Sequence, residues 1–126
     1  MPYFNDRVLD LGLNVLDTEV DKITICNAEP ATYTAANATN ALGSKTFAAG
    51  GAFGSPAARS PNGRKVTSTA ITDGSVSASG TASHWAAVDT ATSRLLAANA
   101  LGASQSVTNG NPFTLAAFDV GIPGPA

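Results

Sequence analysis

The chain contains little sulfur, little imidazole and few charges. Its 126 residues include one cysteine, one histidine and one tryptophan, and charged residues make up 13% of the sequence, about half the usual share in a soluble domain. A lone Cys26 excludes a disulfide within the chain and indicates synthesis in a reducing cytoplasm. One histidine and one cysteine are too few for a transition-metal cluster. The sequence therefore predicts no metal and no cofactor.

Basic patches and long apolar runs are also missing. The seven Lys and Arg residues are scattered, which argues against a nucleic-acid partner. No apolar run approaches the length of about 18 residues that a membrane span needs, and the first residues lack the layout of a signal peptide. Leu, Ile, Val and Phe together form only about a fifth of the chain, at the edge of the range for disordered proteins. So thin a core favours stabilisation by a partner or by a homo-oligomer.

The residues that are present divide the chain into unlike parts. We expect one domain over residues 1–126, with an N-terminal segment and first strand (1–26), a low-complexity arm rich in Ala, Gly, Ser and Pro (27–63), a β module (64–122) and a tail (123–126). Four large apolar residues are too few to offset the backbone entropy of the arm, so we expect the arm to take its order from partners. These four anchors are Tyr33, Leu42, Phe47 and Phe53.

Alternating apolar residues predict the fold class. Strands are predicted at residues 22–26, 64–72, 75–80, 82–89, 94–101, 105–108 and 113–122, the last with a bulge near residues 116–117. Asp73-Gly74 and Asn109-Gly110 are typical of hairpin turns. The pattern predicts an all-β chain, an antiparallel β-sandwich or small barrel of about seven strands. The expected core of the β module is Trp85, Leu95 or Leu96, Phe113, Leu115, Phe118 and Val120.

Residues 5–16 fit two patterns. One side of a helix that Asn5 or Asp6 could cap would carry Val8, Leu9, Leu13 and Leu16. The residues Leu9, Leu11, Leu13 and Val15 also alternate as in a strand. Gly12 weakens a helix by about 1 kcal/mol. We predict a short helix or turn here.

His84 is the one candidate for acid–base chemistry. It is followed by Trp85, and Ser83 and Asp89 lie near it in the sequence. Catalysis needs a nucleophile and an acid ordered around the histidine, and the spacing does not order these residues into a triad. Cys26, at a strand end, is interpreted as a small buried hydrophobe and not as a nucleophile. The sequence predicts no catalytic residue and no enzyme.

Acidic residues are concentrated near the N-terminus, at Asp6, Asp10, Asp17, Glu19 and Asp21. A calcium loop needs close oxygen ligands and a glycine for the bend; segment 17–21 has no glycine, and we interpret it as a solvated loop. Asp89 and Arg94 are expected to pair across a hairpin, which at a surface stabilises by at most about 1 kcal/mol. The glycine-rich stretch 50–54 lacks the following helix of a phosphate-binding loop.

Seven short phrases are spread over most of the chain: VLD (15–17), ITICNAEP (23–30), SHWAAVD (83–89), SRLL (93–96), SVTNGN (106–111), FTL (113–115) and FDVGIP (118–123). In these phrases the sequence resembles small β-rich virion structural proteins of tailed bacteriophages and prophages. The resemblance implies a particle component without catalysis, and it carries no active-site residues.

Three functions are open at this point. The first is a capsid decoration (cement) protein that binds the major capsid protein or other virion proteins and stabilises the head shell. The second is a tail or head-fibre component, such as an adaptor or an attachment knob. The third is a carbohydrate-binding β-sandwich, although the Trp and Tyr residues available as platforms, Tyr3, Tyr33 and Trp85, are far apart in the sequence. The first two place the protein in the virion, after synthesis in the host cytoplasm.

Overall fold

The computed structural model describes the backbone of residues 6–48 and 50–123, and the side chains of residues 11–48 and 50–123. One helix is followed by antiparallel strands, with one π-helical turn (Ala35–Thr39) between the first two. The elements are α1 (Asp6–Glu19), β1 (Lys22–Cys26), β2 (Ala41–Thr46), β3 (Ala57–Ala58), β4 (Arg64–Thr67), β5 (Ile71–Val76), β6 (Gly80–Asp89), β7 (Arg94–Val107), β8 (Pro112–Leu115) and β9 (Asp119–Ile122).

The helix expected near the N-terminus is confirmed, and it runs three residues further than predicted. Leu13 and Leu16 are buried, as is Val20 just after the helix, whereas Leu11 on the other side is 55% exposed. This spacing of three and four residues faces the core in a helix and would not do so in a strand. The strand alternative for residues 5–16 is therefore wrong.

Two antiparallel sheets make up the β structure. The six-stranded sheet has the order β7-β6-β1-β2-β5-β8, and the three-stranded sheet has the order β3-β4-β9. The predicted β-rich, antiparallel architecture is confirmed. The described residues contain nine strands, two more than expected, because β2 and β3 both lie in the segment predicted as an arm.

The six-stranded sheet is strongly curled. Its two edge strands, β7 and β8, would be about 24 Å apart in a flat sheet. Only four residues, 108–111, join the end of β7 to the start of β8, and Gln105 Nε2 of β7 donates to the Thr114 carbonyl of β8 at 3.2 Å. The sheet therefore curls into a half-barrel whose edges approach each other.

The central strand β1 is buried on both faces. Ile23 and Ile25 face the main core together with Trp85 of the neighbouring strand β6. Thr24 and Cys26 face the opposite side, where the π-helical turn covers them. Cys26 is fully buried, as the sequence predicted.

Residues 27–63 are not an arm outside the fold. Strand β2 lies between β1 and β5, and Leu42 and Phe53 from the same segment are buried in the main core. The prediction failed because it took small residues as a sign of little structure. Gly43 shows the opposite, since a Cβ at this position would lie 2.6 Å from the Ser75 carbonyl oxygen. Small residues here allow close approach of backbones.

One of the two turn predictions is wrong. Asp73-Gly74 lies inside β5, and Gly74 has no positive φ. Glycine is needed there because a Cβ would lie 2.3 Å from the Phe113 ring. Asn109-Gly110 is a turn as predicted, with a φ of 90° at Gly110. This turn joins β7 and β8, the two edge strands of the curled sheet, which are not paired with each other as the strands of a hairpin are.

Several strand boundaries also differ from the prediction. The predicted strand 64–72 is divided into β4 and the start of β5, and the predicted strands 94–101 and 105–108 form the single strand β7. The predicted strand 113–122 is broken at residues 116–118, where the chain leaves the six-stranded sheet and enters the three-stranded one. The expected bulge at 116–117 is therefore a change of sheet.

The predicted core of the β module is largely correct. Trp85, Phe113 and Leu115 are buried in the main core. Phe118, Val120 and Leu96 are partly buried against it, and Leu95 packs on the opposite face of the sheet.

Phe53 tests whether residues 27–63 belong to the fold. Its side chain is 2% exposed and packs edge-on against Phe118, with ring centroids 5.9 Å apart. Phe53→Ala should lower the free energy of unfolding by about 3–5 kcal/mol, because it opens a cavity in the core. Leu11→Ala, at an exposed helix position, is the control and should change it by less than about 0.5 kcal/mol. Urea unfolding measures both, and equal small losses would contradict the burial of Phe53.

Gly74 tests the corrected assignment of β5. Gly74→Ala should destabilise the protein because its methyl group would overlap the Phe113 ring. The double variant Gly74→Ala, Phe113→Leu should lose less than the sum of the single losses, by about 0.5–3 kcal/mol. Gly102→Ala is the control, because no atom lies within 4 Å of the added Cβ. Strict additivity of the two losses would show that the two residues do not meet.

Candidate functional site

A groove opens between the two edges of the curled sheet. It has a volume of about 340 Å³ and is lined by residues 100–103 and Gln105 of β7, by Leu115–Phe118, and by Trp85. On its floor Trp85 stacks against Phe118, with ring centroids 4.3 Å apart and planes tilted by 35°. The lining contains no charged side chain, so the groove suits an uncharged and largely apolar ligand.

An irregularity in β7 shapes one wall of this groove. Strands β6 and β7 pair from Asp89↔Arg94 to His84↔Ala100, and pairing resumes at Ala82↔Gln105. Residues 101–104 have no partner on β6, so they bulge away from the sheet. The two strands predicted from the sequence, 94–101 and 105–108, are separated at the place where the structure has a bulge within one strand.

A second cavity of about 390 Å³ is polar. It is lined by Arg59, Ser60, Lys65, Asp119 and Gly121. Lys65 is paired with Asp119 at 3.0 Å, and Arg59 Nη1 donates to the Asn62 carbonyl at 3.0 Å. These charges fasten the three-stranded sheet and the loop before β4, so we assign them a structural role.

His84 meets one of its two suggested partners. Ser83 Oγ lies 2.8 Å from His84 Nδ1, and the irregular pairing at Ser83 lets these neighbouring side chains meet. Asp89 is five residues further along β6, about 16 Å away, and accepts hydrogen bonds from Thr92 Oγ1 and the Ala91 amide. The structure does not bring Asp89 to His84, so the triad weighed from the sequence is not assembled.

The strand pairing places Cys26 directly opposite His84, a juxtaposition that the sequence analysis missed because β1 and β6 are far apart in the chain. The thiol nevertheless turns toward Thr24 Oγ1 at 3.5 Å and the Ala36 carbonyl at 3.8 Å. Burial raises the pKa of Cys26, and the Thr24 hydrogen bond offsets only part of this rise. A raised pKa disfavours the thiolate, which agrees with a buried structural cysteine.

The N-terminal acidic residues do not form a calcium loop. Asp17 and Glu19 belong to the last turns of α1, so the expected solvated loop is wrong for them. Asp21 accepts hydrogen bonds from the Thr90 amide and hydroxyl, at 2.9 and 2.6 Å. The side chains of Asp6 and Asp10 lie outside the described residues. Among the side chains that are described, no group of three or more His, Cys, Asp or Glu could hold a metal ion.

No family model, curated protein or solved structure matches this chain. Within the described residues, no helix has the length and apolar character needed to span a bilayer.

Trp85 and Tyr33 do not lie together as a shared aromatic platform. Trp85 is only 6% exposed, so it offers a sugar ring almost no free face. Tyr33 packs on the opposite face of the sheet, beside the cluster that contains Cys26. Tyr3 lies outside the described residues. The glycine-rich stretch 50–54 also serves the fold, since Ala52 and Phe53 within it are buried.

Three aspartates fasten strands and turns, and each has a lowered pKa. Hydrogen bonds from Thr67 and then Lys65 lower the pKa of Asp119. The Thr92 hydrogen bond is the largest cause of the lowered pKa of Asp89, and the positive charge of Arg94 lowers this pKa a little further. A hydrogen bond from Lys45 and its charge lower the pKa of Asp73. These carboxylates stabilise the fold in their ionised form.

The lowered pKa values predict acid sensitivity. Because the unfolded chain has ordinary aspartate pKa values near 4, it binds protons before the folded chain as pH falls. The contribution of these groups is therefore complete above about pH 5 and is lost as pH falls below about 4. Asp89→Asn should lower stability at pH 7 and flatten this acid decline, whereas Glu29→Gln, at an exposed loop position, should change neither. Urea unfolding from pH 3 to 7 measures this, and a stability that rises on acidification would contradict it.

Proposed function

We propose that this chain is a non-enzymatic virion structural protein, a capsid decoration protein that binds the head shell through the edge of its curled sheet. The observation that carries the proposal is strand β7. It is 14 residues long, lies at a sheet edge and has no charged residue after Arg94. Natural proteins usually protect such an edge with charges or proline. A long uncharged edge favours contact with other protein chains.

The use of the charged groups also supports a structural role. Asp21, Asp73, Asp89 and Asp119 all accept hydrogen bonds that fasten strands or turns. A catalytic site instead directs its titratable groups toward a substrate. The resemblance of several phrases of the sequence to virion proteins of tailed bacteriophages supports the particle as the place of assembly.

The proposal extends to how the two sheets work together. We propose that the curled six-stranded sheet and the three-stranded sheet act together as one small barrel-like unit. The shared core, to which Phe53, Val66 and Trp85 all contribute, supports this. Such a unit would present β7 to its surroundings as a rigid edge.

Copy number in purified particles tests the proposed function. Particles would be isolated by density gradient and the chain counted against the major capsid protein by quantitative mass spectrometry. A decoration protein should be present at on the order of hundreds of copies, because it follows the symmetry of the shell. About a dozen copies or fewer would instead identify a tail or head-fibre component. Absence from particles would overturn the virion role.

A further inference from the structure

The two edges of the curled sheet leave unpaired backbone on both sides of the groove. On one side, β7 is an edge strand with no neighbour beyond it in the sheet, and its residues 101–104 have no register partner on β6 either. On the other, Ala116 and Ala117 connect β8 to β9 and make no hydrogen bond within the described part of the chain. Backbone N–H and C=O groups need partners, from water or from another chain.

Small side chains keep this backbone accessible. Gly102 and Ala103 form one wall, and Ala116 and Ala117 form the other; all four are exposed. No atom lies within 4 Å of a Cβ placed on Gly102, so the space in front of this wall is open. Among the described residues, one hydrogen bond crosses between the two edges, from Gln105 Nε2 to the Thr114 carbonyl.

The floor of the groove is apolar and well ordered by packing. Trp85 and Phe118 stack there, and Leu101 and Leu115 complete it. A volume of about 340 Å³ lies at the lower end of the range for ligand sites. This suits one large apolar side chain with the backbone on either side of it.

We propose that this groove binds an extended, uncharged segment of another protein, which adds as a short strand between the bulge of β7 and the link at residues 116–117. In this mode main-chain hydrogen bonds supply affinity and a pocket for alternate side chains supplies specificity. One large apolar side chain of the segment packs mainly on the half-buried Phe118 and Leu101, and Trp85 contributes only its small exposed edge. The Gln105 side chain gives up its bond to Thr114 so that the strand can enter.

The surface of this chain argues against a second copy as the source of the segment. Leu11 is the one large hydrophobic residue that is exposed among the described side chains, and it lies on a helix. A second copy therefore offers no extended apolar segment from the described residues. The inference rests on the proposed function for the identity of the partner, which is then another virion protein.

The test uses the full chain and the synthetic peptide acetyl-Thr-Val-Phe-Val-Thr-amide as probe, at up to about 1 mM. Titration into ¹⁵N-labelled protein should shift the amide signals of Gly102, Ala103, Ala116 and Ala117 and the indole signal of Trp85, with saturation. A peptide of the same sequence with N-methylated Val and Phe should bind at least about tenfold more weakly, because it cannot complete the ladder.

Matched variants separate the groove from the rest of the surface. Gly102→Arg should abolish the shifts by filling the groove, and it should fold normally because its Cβ meets no atom within 4 Å. Ala57→Arg adds the same side chain at an exposed position of the other sheet and should leave binding unchanged. Unfolding curves for both variants check that the fold is retained.

The remaining outcomes overturn the inference. Equal binding of the N-methylated peptide, or of toluene at the same signals, would show an apolar cavity that does not accept a strand. The inference is also rejected if the peptide shifts other signals, or shifts none at about 1 mM. It is rejected too if Gly102→Arg binds the peptide as well as the parent chain does, or if the free protein forms dimers that bury these residues. Peptide binding by a chain absent from particles would reject only the virion role. A Gly102→Arg chain incorporated into particles at the normal copy number would reject only the groove.

Discussion

The contact on which this structure most depends is the packing of Phe118 between the two sheets. Its ring stacks on Trp85 of the six-stranded sheet and meets Phe53 edge-on. Its amide donates to Ser68 Oγ at 2.9 Å, and its carbonyl accepts from the Ser68 amide at 2.8 Å. Because Phe118 is the last residue of the link between β8 and β9, these contacts hold the point where the chain changes sheet. They also form the floor of the groove, so stability and the proposed binding site depend on the same residue.

Small residues are the second condition for this fold. With only about a fifth of the chain in Leu, Ile, Val and Phe, the core cannot be filled by bulk alone. Close approach of backbones compensates for the small number of large side chains. Gly43 lies against Ser75, and Gly74 lies beneath the Phe113 ring. Ala36, Ala82, Ala86 and Ala87 are all fully buried. Close packing gains dispersion contacts that larger side chains would otherwise supply.

The small number of charged residues also bears on the proposed role in assembly. The few charged groups are used within the fold, as in the pairs of Lys45 with Asp73 and Lys65 with Asp119. Such exposed pairs stabilise only modestly. After Arg94, β7 has no charged residue, and neither has the lining of the groove. An uncharged edge beside an apolar groove is suited to an added strand, and the bulge at residues 101–104 limits that addition to one short stretch. The edge is thereby open to a specific partner and less open to unlimited pairing.

The sequence by itself determined the local elements whose pattern depends on near neighbours. The helix that contains Leu13 and Leu16, the strand 22–26, the turn at Gly110 and the burial of Trp85, Phe113 and Leu115 all follow from periodicity and turn chemistry. Only the tertiary structure decided the rest. Whether Asp73-Gly74 turns or stays extended depends on Phe113, which lies about forty residues away. Whether segment 27–63 is an arm or a source of strands depends on β2 finding β1 and β5. The groove arises from residues near 85, 102 and 117, which meet only because the sheet curls, and no local pattern records that closure.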